Sequence, residues 1–254
     1  MKINPNFKKI AIKSAEEAGK ILEKHFKKAV KFSYKKDWSV VSDVDLKAEK
    51  TIIKLIEKNF PSHNILAEEK GGKLKNGYSW IIDPLDGTTN YLSSFSFFSV
   101  AIALFYNKEL ILGTVFNPMT KELYFAEKGK GAYLNGKRIK VGKKQIPSIV
   151  VLGKGRAKKD FIKLHKISGR IIGKYRAFRL WGCTSLDICY IASGRIDAYI
   201  NPGSKIWDFA AGVLIVKEAG GKVTDFSGKE WDFKTRNLVA SNKKINKLLL
   251  GLVK

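Results

Sequence analysis

The segment Trp80-Ile81-Ile82-Asp83-Pro84-Leu85-Asp86-Gly87-Thr88-Thr89-Asn90 constrains this chain more than any other. An apolar, strand-like run ends on two carboxylates three residues apart. Acids at the end of a buried strand lose hydration and repel each other unless a cation lies between them. Hard oxygen donors of this kind suit Mg²⁺. Gly87 permits a tight turn, and the Thr-Thr-Asn that follows can open a short helix whose unpaired N–H groups hold a phosphate. The plainer alternative is a β-turn with an Asp N-cap. A plain turn has no use for the second carboxylate or for the threonine pair.

Other acids occupy comparable places. Glu68-Glu69 follows the apolar stretch 64–67, so these acids meet Asp83 if the two strands are neighbours; alone they read as a solvated loop. Asp208 lies between Trp207 and Phe209 at the start of a helix, 206–216, that is apolar nearly all round and therefore buried. A carboxylate there needs a partner, and a metal ion, its own helix terminus or a lysine would each serve. Asp43, beside the N-cap candidate Ser42, is by itself an ordinary capping acid. The only cysteines, Cys183 and Cys189, form no CxxC pair, and His25, His63 and His165 are scattered singly. Any metal chemistry is thus carboxylate chemistry.

Phe7, Ile10, Ala11, Ala18, Ile21, Leu22 and Phe26 recur at helical spacing, and a second helix carries Ala48, Ile52, Leu55 and Ile56. Stretches 65–67, 78–82, 97–106, 110–116 and 123–126 read as strands joined by hairpin turns at Asn107 and Asn117-Pro118, with a further turn at Asn135-Gly136. Beyond a polar stretch near 141–147 strands at 149–152, 175–178, 198–200 and 238–240 alternate with helices near 158–167, 184–192 and 206–219 and a C-terminal helix. The expected architecture is an α+β domain, 1–143, carrying most metal ligands, then an α/β domain, 144–254, carrying Asp208, with a cleft between them.

The formal net charge of +25 attracts polyanions. The lysines are spread over helix exteriors and turns, and no nucleic-acid module is recognisable, so a solvated surface is expected and nucleic acid is not the expected partner. The first twenty residues lack a signal-peptide core, and Leu248-Leu249-Leu250 is too short to span a bilayer. A cytoplasmic protein with no membrane partner is expected.

Trp80 to Asn90 together with Trp207-Asp208-Phe209-Ala210-Ala211-Gly212 resembles the paired signature of the inositol monophosphatase family. The similarity extends through Asp43, Pro61-Ser62-His63, Glu68-Glu69, Gly129-Lys130-Gly131-Ala132, Asn135-Gly136, Gly182 and Glu218-Ala219-Gly220-Gly221, nearly the whole chain. The resemblance implies a layered αβαβα sandwich of the inositol monophosphatase and fructose bisphosphatase kind. It also implies a Mg²⁺-dependent, Li⁺-sensitive phosphomonoesterase with two or three Mg²⁺ per site, acting on a small phosphorylated polyol or sugar, usually as a homodimer.

By position, the resemblance implies that Glu68, Asp83 and the Leu85 carbonyl hold one Mg²⁺. Asp83, Asp86 and Asp208 would hold a second, and Glu69 would support a weaker position. Thr88 and Asp43 would pair to orient and deprotonate the attacking water, with Glu68 beside them. Gly87 and Thr88 amides would contact the phosphate, and Asp86, Asp208, Gly182, Cys183 and Thr184 the rest of the substrate. Inositol-preferring members commonly carry an acid before the Trp-Asp motif, and here Asn201 occupies that place. Inositol-1-phosphate is the simplest substrate, with fructose 1,6-bisphosphate beside it; a 3′-phosphoadenosine nucleotide or NADP is the alternative, and a nucleic-acid or regulatory binding role is the reading from another class.

Overall fold

The computed structural model describes residues 4–35, 39–155 and 157–253. Helix α1 (Pro5–His25) starts where the Asn4 side chain accepts from the Asn6 N–H at 3.0 Å, with Pro5 in the first turn, a position that needs no N–H donor. A short hairpin of β1 (Phe32–Tyr34) and β2 (Val40–Ser42) leads to α2 (Asp43–Asn59). Ser42 caps α2, and Asp45, three residues on, returns a bond to the Ser42 N–H at 2.9 Å. Both helices lay their apolar stripes, Phe7 to Leu22 and Val44 to Ile56, on one face of a large sheet.

That sheet has seven strands in chain order: β3 (Asn64–Ala67), β4 (Tyr78–Asp86), β5 (Ser99–Tyr106), β6 (Glu109–Asn117), β7 (Glu122–Glu127), β8 (Gly131–Leu134) and β9 (Lys137–Ile139). Only the β3–β4 pairing within it is parallel; the rest is an antiparallel meander. Two of its connections are two-residue turns with positive φ at both positions, Asn107-Lys108 and Asn135-Gly136, the geometry that matches strand twist.

The second half builds a five-stranded sheet from β10 (Ile149–Leu152), β11 (Ala177–Arg179), β12 (Ala198–Asn201), β13 (Lys222–Thr224) and β14 (Leu238–Ser241), in the order β11-β10-β12-β14-β13. Between the sheets lie α5 (Thr184–Ala192) and α6 (Ile206–Glu218); α4 (Lys158–Ile171) and α7 (Lys243–Val253) cover the outer face. Helix pair, sheet, helix pair, sheet and helix pair give the αβαβα sandwich that the resemblance implies. The central position of α6 explains its apolar circumference, with Phe209 to Val216 all buried. It lies so close to β6 that a Cβ on Gly113 would stand 2.6 Å from the Ala211 carbonyl oxygen. The middle layer, drawn from the second half of the chain, shares one apolar core with the first-half sheet.

Strands β1, β2, β8, β9 and β13 go beyond the sequence reading; all are three or four residues long, and β1 is exposed throughout, so they lack the apolar alternation that announces a strand. Strand β4 continues four residues past Ile82, to Asp86. Among the described residues no helix is long and apolar enough to cross a membrane.

Candidate active site

The parallel register of β3 and β4 sets Ala67 opposite Ile82, and the Glu68 N–H then donates to the Ile82 carbonyl at 3.1 Å. Glu68 and Asp83 therefore leave neighbouring strands side by side. Past Asp83 the β4 register slips against β5, with Asp83 facing Ala101 and Asp86 facing Ser99. Pro84, which has no N–H to give a ladder, falls in that bulge. Asp208 enters from the first turn of α6. Glu68, Asp83 and Asp208 each bring one carboxylate oxygen within 4.8 Å of the others.

Asp86 stands apart from that trio. Its Oδ2 accepts from the Ser185 N–H and Oγ, both at 2.6 Å, and from the Cys183 thiol at 3.4 Å. Burial, and then the charge of Asp208, push its pKa up. Asp208 also caps its own helix, its Oδ2 accepting from the Lys205 N–H at 2.8 Å and from the Ser204 hydroxyl. Glu69 and Glu68 share the Lys35 ammonium, at 2.5 and 3.1 Å.

Gly87 turns the chain with φ of +91° into the five-residue helix α3 (Thr88–Leu92). Here one expectation is corrected. Thr88 Oγ1 lies 3.2 Å from Asp45 Oδ1 and 3.0 Å from the Leu85 carbonyl, whereas Asp43 points outward and pairs with Lys47 at 2.8 Å. Two residues along a helix is a rotation of about 200°, so Asp43 and Asp45 lie on opposite faces. Asp45 is 2% exposed, and its pKa is raised to about 7, chiefly by burial and further by Glu69 and Glu68, against the lowering bonds from Ser42. The Ser42-x-x-Asp45 spacing of a capping box was the sequence signal for it.

The carboxylates floor a cleft of about 670 Å³ whose walls include Gly182, Thr184, Tyr199 and Asn201. Cys183 is not part of that lining: it is fully buried beneath Asp86, so its side chain does not meet a ligand in the cleft. Asn201 has both polar ends engaged, Nδ2 donating to the Tyr199 hydroxyl at 2.8 Å and Oδ1 accepting from the Gly203 N–H at 2.9 Å. Tyr199 in turn donates to Thr184 Oγ1 at 3.1 Å, which makes this wall one bonded unit.

Three charged lining groups were not expected from the sequence. Asp187 on α5 is 1% exposed, its Oδ1 has no hydrogen-bond partner among the described residues, and burial and then Asp86 push its pKa well up. Lys154 and Lys158 stand exposed in the lining with Phe161. Single lysines in a lysine-rich chain carry no sequence signal.

A donor set of three carboxylates, with no thiolate or imidazole among them, fits a hard divalent cation. Buried acids this close together are costly without one.

The family model described as the inositol monophosphatase family matches residues 4–254. The chain is 37% identical over 249 residues to the protein named Nus factor SuhB of Escherichia coli strain K12, covering 95% of this chain and 93% of that one. The structure of extragenic suppressor protein suhB from Bartonella henselae superposes with a TM-score of 0.93 at 32% identity over 98% of each chain. That of the Thermotoga maritima IMPase gives a TM-score of 0.91 at 35% identity, covering 98% of this chain and 96% of the other.

Proposed function

The chain belongs to the inositol monophosphatase family, and from that premise we propose that it hydrolyses a phosphate monoester of a small polyol or sugar with Mg²⁺ held by Glu68, Asp83 and Asp208. The observation that carries this reading is the meeting of those acids, from β3, β4 and α6, next to the Gly87 turn. When bound, divalent ions in such a site lower the pKa of a water, neutralise the phosphate and stabilise the leaving alkoxide. The protein's own part begins at Thr88. Its hydroxyl hydrogen points to Asp45 or to the Leu85 carbonyl, which leaves its lone pairs to accept from an attacking water. Asp45, titrating near neutrality, can hold the proton that water gives up. Gly87 and Thr88 line the cleft and offer backbone N–H groups to the phosphate oxygens.

For the substrate, inositol-1-phosphate is the simplest case. The neutral Asn201, with both polar ends engaged in the wall, and the basic rim of Lys154 and Lys158 beside Phe161 favour acceptance of a second anionic group as well, as in fructose 1,6-bisphosphate, a phosphoadenosine nucleotide or NADP. Phosphate release from these four, with Mg²⁺ and with EDTA, tests the reading. Release from none of them overturns it. Inhibition by Li⁺ and a homodimer in light scattering are further expectations; the exposed Phe161, Ile162, Phe178 and Leu180 support the second.

A second reading, a nucleic-acid or regulatory binding protein on the same scaffold, draws support from the relatives' name, Nus factor, and from the net charge of +25. Gel-shift titration at physiological salt separates the two. Weak binding seen only at low salt reflects the charge, whereas sub-micromolar, sequence-selective binding supports this second role.

A further inference from the structure

Helix α2 touches the site at two points one turn apart. Asp45 accepts from Thr88, and Glu49, four residues later on the same face, reaches the turn that follows β3. Glu49 is 4% exposed, and each of its oxygens takes one backbone donor: Oε2 the Glu69 N–H at 2.8 Å and Oε1 the Lys70 N–H at 2.7 Å. Those amides belong to the turn that leaves β3 and presents Glu68. The rest of that turn is bonded main chain to main chain: the Ala67 N–H to Gly71, the Gly71 N–H to Ala67, and the Glu68 N–H to Ile82, at 3.0 to 3.1 Å. Glu69 and Lys70 alone in the turn donate to a side chain.

We propose that Glu49 is a positioning residue for the carboxylate site, holding the 67–71 turn so that Glu68 meets Asp83 and Asp208. The inference rests on the metal-dependent reading above. A carboxylate is suited to the task because two successive N–H groups converge on it and it has an oxygen for each. The desolvation it suffers, the largest influence on its raised pKa, is countered by those same two bonds. Without them, two donors lie unpaired beneath the loop and Glu68 hangs on a turn tied to the sheet at one end. The Glu68 oxygen then samples positions outside the 4.8 Å grouping with Asp83 and Asp208. Through its single helix, α2 thus sets the spacing between the water-orienting pair and the ligand-bearing turn.

The test is Mn²⁺ binding by calorimetry on the full chain, comparing the unmutated protein with Glu49→Gln and Glu49→Asp, alongside melting of each in EDTA. Gln keeps the length but presents an amide NH₂ to one of the two donors. Asp keeps the charge but falls one methylene short of the turn. Both variants are expected to bind Mn²⁺ about 10-fold or more weakly, the loss usual when a group that orients a ligand is removed. Undiminished affinity in Glu49→Asp with a loss in Glu49→Gln assigns the effect to charge and overturns the positioning role, as does undiminished affinity in both. If the unmutated chain binds no Mn²⁺, the metal-dependent reading itself fails. Hydrogen exchange on the unmutated protein decides the matter if the variants do not fold: the Glu69 and Lys70 amides are expected to be protected in EDTA, and exchange at the rate of an open loop overturns the clamp.

Discussion

Thr88 Oγ1 stands 3.2 Å from Asp45 Oδ1, so the first turn of α2 and the first residue of α3 are linked by one hydrogen bond beside the cleft. Asp45→Asn is expected to lower kcat by roughly 10²-fold with a smaller effect on KM, because holding a proton and orienting the water matter most in the transition state. Asp43→Asn, at an outward-facing ion pair, is expected to stay within about twofold. Thr88→Ala combined with Asp45→Asn should cost less than the sum of the single losses. Equal kinetic penalties at 43 and 45 would contradict the assignment.

Asp83→Asn is expected to remove nearly all turnover while the fold persists, since the change takes away a charge from the carboxylate trio and almost no volume. Asp83 is 1% exposed, and its Oδ1 accepts from the Leu85 N–H at 3.1 Å, a bond an amide oxygen can keep. Steady-state rates beside circular-dichroism melting check this. Retention of more than about a tenth of kcat, a barrier change below roughly 1.4 kcal/mol, counts against Asp83 as a ligand.

The buried acids also make the metal-free protein sensitive to pH. Asp45 titrates near pH 7 when folded against about 3.9 when unfolded, and burial pushes Asp86 and Asp187 in the same direction. Between those values the folded chain holds more protons than the unfolded one, so stability falls as pH rises. The contribution is full below about pH 4 and gone above about pH 7. In EDTA, melting is expected at a higher temperature at pH 5.5 than at pH 8, and Asp45→Asn should shrink the difference. Saturating Mg²⁺ should reduce it too, because a cation favours the ionised acids. A rise in EDTA melting temperature from pH 5.5 to 8 would count against the burial argument.

Exchanging both Lys154 and Lys158 for alanine is expected to raise KM for fructose 1,6-bisphosphate or a phosphoadenosine nucleotide several-fold while leaving that for inositol-1-phosphate nearly unchanged. Both lysines line the cleft and are exposed, so the effect should weaken as salt is added. Equal changes for all substrates would place the lysines in long-range steering, not in contact with a second anionic group.

Gly113→Ala tests the packing of the middle layer. The added methyl would stand 2.6 Å from the Ala211 carbonyl oxygen and 3.0 Å from its Cα, both main-chain atoms that cannot swing aside. A cost of about 1–3 kcal/mol is expected, a drop of roughly 3–10 °C in melting temperature. Thermal denaturation of the variant measures it. A change below about 1 °C would mean that α6 and β6 can separate freely.

The sequence by itself determined the elements and the chemistry that is local to them. The stripe from Phe7 to Leu22 demanded an amphipathic helix, the unbroken apolar run from Phe209 to Val216 demanded a helix enclosed on every side, and Asp83-Pro84-Leu85-Asp86-Gly87 announced acids at a strand end followed by a turn. Such signals survive in one dimension because they depend on neighbours a few residues away. Tertiary structure alone decided which groups meet. The parallel pairing of β3 with β4 brings Glu68 to Asp83, and the phase of α2 turns Asp45, not Asp43, toward Thr88. The fold of the wall keeps Asn201 in the cleft lining while committing it to Tyr199 and Gly203, and hides Cys183 under Asp86, although the resemblance implied that the Cys183 position would contact a substrate. Reach and direction are properties of side chains on packed elements, and a chain carries them only once sheet register and helix rotation have been set by burial of its apolar faces.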